Sequence, residues 1–192
     1  MTSIPLLITF AAAAVLSAYE LFRRGERPAS YLADRQAHGA HVVMNAAMAA
    51  MVAPGYDATA ERIVFWVLVL GGAVLIAQLA MAVRAGKPES AVASGYHALA
   101  MFAMVYAVVL MPAGMMHHGM DMPRPWIATV FAALFLIDGI VTGVAAAFFP
   151  GRLLGLGEER PEKRATAPMI ADLRRSAIPH VVMDAGMAWM LL

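Results

Sequence analysis

Six apolar runs separated by short polar connectors dominate the pattern of hydrophobic and polar positions along the chain. A helix needs about 20 apolar residues to cross the roughly 30 Å hydrocarbon layer of a bilayer. Counting such windows predicts six transmembrane helices, at residues 4–22, 37–53, 63–83, 91–111, 126–149 and 176–192. The second and sixth windows are short, and each helix could extend backwards into the polar residues before it.

This pattern predicts an all-α integral membrane protein with a single domain, residues 1–192. No basic segment precedes residues 4–22, and the alanine-rich stretch that could resemble a cleavage site lies inside the run. We therefore expect a retained helix there and not a signal peptide. The mixed-charge stretch at about 151–168 is expected to be a cytoplasmic linker.

Composition supports the membrane class and restricts the chemistry. Apolar residues make up 61% of the chain and charged residues 14%, against about 25% charged in an average soluble domain. We expect the lipid bilayer as a partner and no nucleic acid. Because the chain has no cysteine, disulfides and thiolate metal sites are excluded, and any soft-metal ligand must be Met or His.

The distribution of basic residues predicts an orientation. Twelve of the fourteen Lys and Arg residues lie in the connectors after the first, third and fifth runs, and only Arg62 and Arg124 lie in the others. Under the positive-inside rule, the twelve-charge side is cytoplasmic and both termini are extracytoplasmic.

The second, fourth and sixth runs share a pattern of His and Met. The second reads HVVMNAAMAAM at 41–51 and the sixth HVVMDAGMAWM at 180–190, while the fourth is looser. Offsets of 3, 4 and 7 place residues on one face of a helix, so each run carries a His with Met side chains above it. The candidate metal ligands on these stripes are His41, His97, His180, Met44, Met48, Met101, Met104, Met183 and Met187.

Each odd run holds one polar residue: Glu20, Gln78 or Asp138. We therefore interpret the chain as three pseudo-repeated helical hairpins, and repeats in membrane proteins commonly place a shared site at their interface. Polar groups beside a metal-binding His fix its tautomer. The candidates for that supporting role are Glu20, Asp138, Asp184 and Asn45.

The connector MMHHGMDM, residues 115–122, faces outward in this topology. It is either an interfacial loop whose Met side chains dip into lipid or an outer collection site for soft ions. Its candidate ligands are His117, His118, Met115, Met116, Met120 and Met122. His38, three residues before His41, could be a fourth ligand or an exit ligand, and we favour a solvated interfacial histidine.

His and Met without Cys form the ligand set expected for Cu(I), because thioethers are soft donors. The leading hypothesis is a membrane protein that takes up, stores or delivers copper. A protein that donates the metal to it or accepts the metal from it is a candidate partner. Haem ligated by these histidines is the main alternative, followed by a metal-dependent membrane enzyme and a scaffold. The pattern favours a binding protein over an enzyme, and homo-oligomerisation stays open.

The recurrent H-x-x-M-x-x-x-M helices at 41–51 and 180–190 resemble an uncharacterised family of actinobacterial multi-pass membrane proteins, a domain of unknown function. The resemblance would cover nearly the whole chain. It implies a multi-pass protein of the bacterial plasma membrane, and it implies no activity and no site residue.

Overall fold

The computed structural model describes residues 4–23, 35–110, 126–150 and 167–192, and within these ranges the chain forms six long α-helices and no strand. The loop at 115–122 and most of the predicted linker lie outside the described residues. The helices are α1 (Ile4–Phe22), α2 (Arg35–Val52), α3 (Ala58–Arg84), α4 (Pro88–Leu110), α5 (Trp126–Phe148) and α6 (Ala167–Leu191).

Four helices, α1, α3, α4 and α5, are long and apolar enough to cross a membrane. The odd-numbered helices expose large apolar side chains, among them Ile8, Val15, Leu70, Val74 and Ile137, each more than half exposed. Such a surface fits a lipid environment, since soluble proteins avoid large contiguous apolar patches. Buried polar residues such as His41, Asn45, His180 and Asp184 lower the hydropathy of α2 and α6, and so do the exposed Arg35 and Arg174.

The six helices form three pairs, and each pair contacts the next, so that the contacts close into a ring. The most extensive contacts lie within three consecutive pairs, α1 with α2, α3 with α4 and α5 with α6, and the three even-numbered helices contact one another in the centre. Each odd helix also reaches a second even helix: α1 contacts α6, and α3 contacts α2. The third such contact joins α5 to α4 through aromatic rings, Tyr96 with Phe135 and Tyr106 with Phe131. The even helices therefore form an inner triad inside an outer ring.

Small residues allow the helices to approach closely, as in other membrane bundles. At Gly186 of α6, a Cβ atom would lie 2.5 Å from the ring of Phe10 in α1 and 2.8 Å from the sulfur of Met48 in α2. No other residue fits between these neighbours without moving them. The close approach brings α1, α2 and α6 together about two helical turns beyond the histidines.

Ion pairs join α1 to α6 at the end of the bundle where α1 ends and α6 begins. Arg23 donates to Asp172 at 2.6 and 3.2 Å, and Arg175 also donates to Asp172. Buried Glu20 lies 3.3 Å from Arg23 and 3.5 Å from Arg175. We call these four residues the ion-pair network. Hydrogen bonds from Arg23 hold the pKa of Asp172, which precedes the predicted sixth span, below its usual value.

Candidate metal centre

Three histidines from the three even helices meet at the centre of the bundle. His41 of α2, His97 of α4 and His180 of α6 are at most 1% exposed. His41 Nε2 lies 3.0 Å from His180 Nδ1 and 3.1 Å from His97 Nε2. The three facing nitrogens all lie within 4.8 Å of one another. We call this group the three-His cluster.

The far nitrogens of two rings fix their tautomers. His97 Nδ1 lies 2.7 Å from the carbonyl oxygen of Ala93, one helical turn earlier. His180 Nε2 lies 2.8 Å from the carboxylate of Asp138. Carbonyl and carboxylate oxygens accept hydrogen bonds, so both ring nitrogens must donate, and a neutral imidazole has a proton on only one nitrogen. The nitrogens of His97 and His180 that face the cluster therefore carry lone pairs.

His41 cannot satisfy both lone pairs. Its Nε2 faces His97 and His180 together, and a single N–H can make one good hydrogen bond at a time. Its Nδ1, on the other side of the ring, is also buried and has no hydrogen-bond partner. Buried polar groups are normally hydrogen-bonded. A cation at the point on which the three nitrogens converge would engage all of them at once.

The spacing of the cluster suits a metal ion. An ion with metal–nitrogen bonds of about 2.0–2.1 Å holds three ligand nitrogens roughly 3.3–3.5 Å apart. The observed separations of 3.0 and 3.1 Å are a few tenths of an ångström shorter, and small rotations of the rings would make up this difference. The chain therefore contains buried histidines that could hold a metal ion.

Two carboxylates lie on the side of the His180 ring that faces away from His41. Asp138 of α5 and Asp184 of α6 place carboxylate oxygens 2.8 and 3.3 Å from His180 Nε2. Tyr96 of α4 donates a hydrogen bond of 2.8 Å to the other oxygen of Asp184. Together, Asp138, His180 and Asp184 form another set of side chains that could hold a metal ion.

A glycine makes this approach of α5 to α6 feasible. A Cβ atom on Gly139 would lie 3.1 Å from the Cβ of Asp184, so a larger residue would push the two helices apart. Because Gly139 follows Asp138 directly, the close contact brings one carboxylate towards the other. Local packing thus sets the distance between the two acids.

The other two polar residues predicted to support the histidines have different partners. Asn45 donates to the backbone oxygen of His41 at 2.9 Å and to that of Pro179 at 3.4 Å, and so ties α2 to α6. Glu20 lies in the ion-pair network, 3.3 Å from Arg23. Of the four predicted supporting residues, Asp138 and Asp184 contact an imidazole of the cluster.

All six methionines of the predicted stripes are buried, none more than 2% exposed, in one apolar core, namely Met44, Met48, Met101, Met104, Met183 and Met187. Each follows its histidine by three, four or seven residues, which is about 4.5–10.5 Å along a helix. The sulfur of Met48 lies against Gly186 in the inner triad, whereas that of Met101 lies against Gly71 of the outer helix α3. The methionines therefore do not all face the same neighbours.

A family model described as a domain of unknown function, DUF5134, matches residues 33–192. The chain belongs to this family. The match includes the three-His cluster, both aspartates beside it and five of the six helices, and α1 precedes it. No curated protein and no solved structure matches the chain.

The structure corrects one interpretation and adds two residues within this DUF5134 region. His38 is 1% exposed, 6.4 Å from His41 between ring centroids and 3.5 Å from the hydroxyl of Ser176, so the expectation of a solvated histidine is wrong. Sequence reasoning missed Tyr96 and Gly139. Tyr96 directly precedes His97, and its position beside a candidate ligand could have drawn attention to it. The six candidate ligands in 115–122 lie outside the described residues.

Proposed function

We propose that this protein binds Cu(I) at the three-His cluster and takes up, stores or delivers it through the His- and Met-lined interface of α2, α4 and α6. The observation that carries the proposal is the convergence of three imidazole nitrogens, of which His41 Nε2 can satisfy only one neighbour by hydrogen bonding. Buried polar groups are normally paired by hydrogen bonds within the protein.

The surroundings of the cluster favour copper over harder ions. Three neutral imidazoles bring no negative charge, and the core beyond them consists of thioether and alkyl groups. Soft thioethers suit Cu(I), whereas Mg(II) and Ca(II) prefer oxygen ligands. Structural zinc sites are almost always four-coordinate, and the cluster brings three imidazoles to the shared point.

Haem fits this geometry poorly. Two axial ligands of a haem lie on opposite faces of the macrocycle, which must pass between them. Ring nitrogens 3.0 and 3.1 Å apart, with ring centroids 5.0 and 5.1 Å apart, leave no space for a macrocycle between them. We therefore keep a metal-dependent enzyme as the second candidate, because Asp138 and Asp184 give the site carboxylates that could act on a metal-bound water.

We further propose that all six helices cross the bacterial plasma membrane as one domain of three pseudo-repeated hairpins, with both termini outside. Cyclic contacts among the hairpins support this proposal. So does the position of the ion-pair network at the end that the positive-inside rule assigns to the cytoplasm. The actinobacterial origin belongs to the same proposal, as does the role of MMHHGMDM, residues 115–122, as an outer collector of copper.

Metal analysis of the detergent-purified protein tests the copper proposal. The wild type from copper-supplemented cells should contain close to one copper per chain, and the His41→Ala/His97→Ala/His180→Ala variant should contain almost none. X-ray absorption on the wild type should show nitrogen neighbours at the ion. Replacing His117 and His118 with Ala should slow loading while leaving the final copper content unchanged.

His38→Ala is the matched control, because His38 is equally buried on the same helix and one turn from His41. It should keep its copper. A wild type without copper, or a triple variant that retains it, would overturn the proposal. Zinc at one equivalent in place of copper would support the metal-dependent enzyme instead.

A further inference from the structure

The two nitrogens of His180 serve two different groups of side chains. Nδ1 faces His41 in the three-His cluster, and Nε2 faces Asp138 and Asp184 on the opposite side of the ring. A histidine that binds a single ion through one nitrogen needs only one hydrogen-bond acceptor at its other nitrogen to fix its tautomer. His180 has two carboxylates there, one more than that role requires.

Asp184 receives a hydrogen bond on only one of its two carboxylate oxygens. It is fully buried, and Tyr96 occupies its Oδ1. Its Oδ2 lies 3.3 Å from His180 Nε2 but receives no hydrogen bond, since that N–H donates to Asp138. A buried carboxylate oxygen left in this way is costly in a membrane protein, and intramembrane ionisable residues are usually functional. The ligand atoms of Asp184, Asp138 and His180 all lie within 4.8 Å of one another.

The distances match an octahedral ion. An ion bound to nitrogen and oxygen at about 2.1 Å holds adjacent ligand atoms roughly 3.0 Å apart. Nε2 lies 2.8 Å from Asp138 and 3.3 Å from Asp184, and all three ligand atoms fit within 4.8 Å. Two of the three separations thus match neighbouring positions on an octahedron, and three protein ligands leave further positions for water or another ligand.

We propose a second metal site formed by Asp138, His180 and Asp184, which binds a divalent transition metal of the Mn(II), Fe(II), Co(II) or Zn(II) class. It deepens the proposed function and rests on it, because His180 is shared: its imidazolate bridges the two ions. Binding of the second ion replaces the Nε2 proton, which leaves as one H⁺ per ion. Two carboxylates and one imidazolate then surround the dication.

The two sites differ in access. The three-His cluster is enclosed, with no residue more than 1% exposed, whereas the side chain of Asp138 is 33% exposed. The second site is therefore less completely enclosed than the three-His cluster, on the side of α5.

Cobalt binding to copper-loaded protein tests the second site. The purified protein is loaded with Cu(I) under anaerobic reducing conditions, titrated with Co(II), desalted, and analysed for both metals and for the visible d–d bands of Co(II). Cu(I) has a filled d shell, so these bands report cobalt alone. The wild type should bind one copper and one cobalt, and Asp138→Asn should bind no cobalt.

Asp138→Asn is the main variant because the side chain is partly exposed and nearly isosteric with Asn, so the fold should tolerate it. Asp184→Asn should behave likewise, and Glu20→Gln, a buried acid of α1, should retain both metals. Equal cobalt in the wild type and Asp138→Asn, or none in either, would overturn the second site and leave the copper proposal standing.

Absence of copper from the wild type with cobalt that depends on Asp138 would overturn the proposed function and support a cation site at the aspartates. The bridge has its own readout after oxidation of the copper to Cu(II). An imidazolate should couple the two paramagnetic ions, so the Cu(II) electron spin resonance signal should change on cobalt binding. An identical signal with and without cobalt would overturn the bridging role of His180.

Discussion

The ion-pair network, which is partly exposed, and the buried three-His cluster both join helices through polar groups, but they differ in how those groups are paired. In the network, Glu20 and Asp172 face Arg23 and Arg175, so two negative charges meet two positive ones. In the cluster, three ring nitrogens face one another with lone pairs on at least two of them. In the network each charge faces an opposite charge, whereas the cluster brings together groups that a cation would pair.

This difference separates a structural role from a binding role. Charged residues in a membrane protein pair with one another where they serve to hold helices together. Ring nitrogens at 3.0 and 3.1 Å that share a single proton repel one another through their lone pairs unless an ion lies between them. We therefore expect the two regions to respond to opposite perturbations: the cluster to metal, the network to acid.

Metal addition should give the largest effect. At a free copper concentration about 1,000 times the dissociation constant, binding to the folded state alone adds roughly 4 kcal/mol of stability. For a chain of this size, that corresponds to an increase in unfolding midpoint on the order of 10 °C. A thermal scan of the wild type in detergent, with and without Cu(I), measures the shift.

Variants of the two regions sharpen this measurement. His97→Ala should lose the copper-dependent shift, because one ligand of three is gone. Glu20→Gln in the network should start from a lower midpoint and keep the full shift. If copper stabilised both variants equally, the three-His cluster would not be where copper acts.

Acid should act on the network with a smaller effect. The pKa of Asp172 is lowered chiefly by hydrogen bonds from Arg23. Its contribution to stability is therefore complete above the unfolded value of about 3.9, and it is lost as pH falls through the lower pKa of the folded protein. At pH 7, Asp172→Asn should reduce the free energy of unfolding by about 1 kcal/mol.

Unfolding curves of the wild type and Asp172→Asn at a series of pH values measure this contribution. The two curves should approach each other below about pH 4 and converge as the pH falls through the lowered pKa of Asp172 in the folded protein, because the carboxyl is then neutral in both states. Copper content should be the same in both. A stability difference that persisted unchanged in acid would show that Asp172 acts through packing and not through its charge.

Hydropathy predicted the approximate positions of the helices, but it placed the first residues of some helices several positions too late. Six helices lie where six apolar runs were counted, but α3 begins at Ala58, five residues before its predicted span, and α6 begins at Ala167, nine before. Asp57 caps α3 by accepting hydrogen bonds from the amides of Thr59 and Ala60. Hydropathy windows count apolar residues, while a helix continues through polar residues until its backbone groups are capped.

The repeated offsets were enough to predict that His41, His97 and His180 would share one buried site. They could not predict which acids would accompany them. Glu20 lies near the end of α1, where it meets arginines, whereas Asp138 lies near the middle of α5 and meets His180. Which side chain of a neighbouring helix each acid meets depends on packing contacts in three dimensions, such as that of Gly139 with Asp184.

The smallest effect is expected from the methionines, where the sulfur of Met48 lies in the inner triad and that of Met101 lies against the outer helix α3. Exchange of Met for Leu conserves volume and usually costs less than about 1.5 kcal/mol, so both variants should fold and bind one copper. If thioethers pass copper towards the histidines, Met48→Leu should slow uptake several-fold and Met101→Leu should not. The uptake rates are measured by stopping copper loading after a series of times and determining the copper content of each sample. Equal rates in the wild type and both variants would mean that the methionines only fill the core, and the histidines alone would then handle the metal.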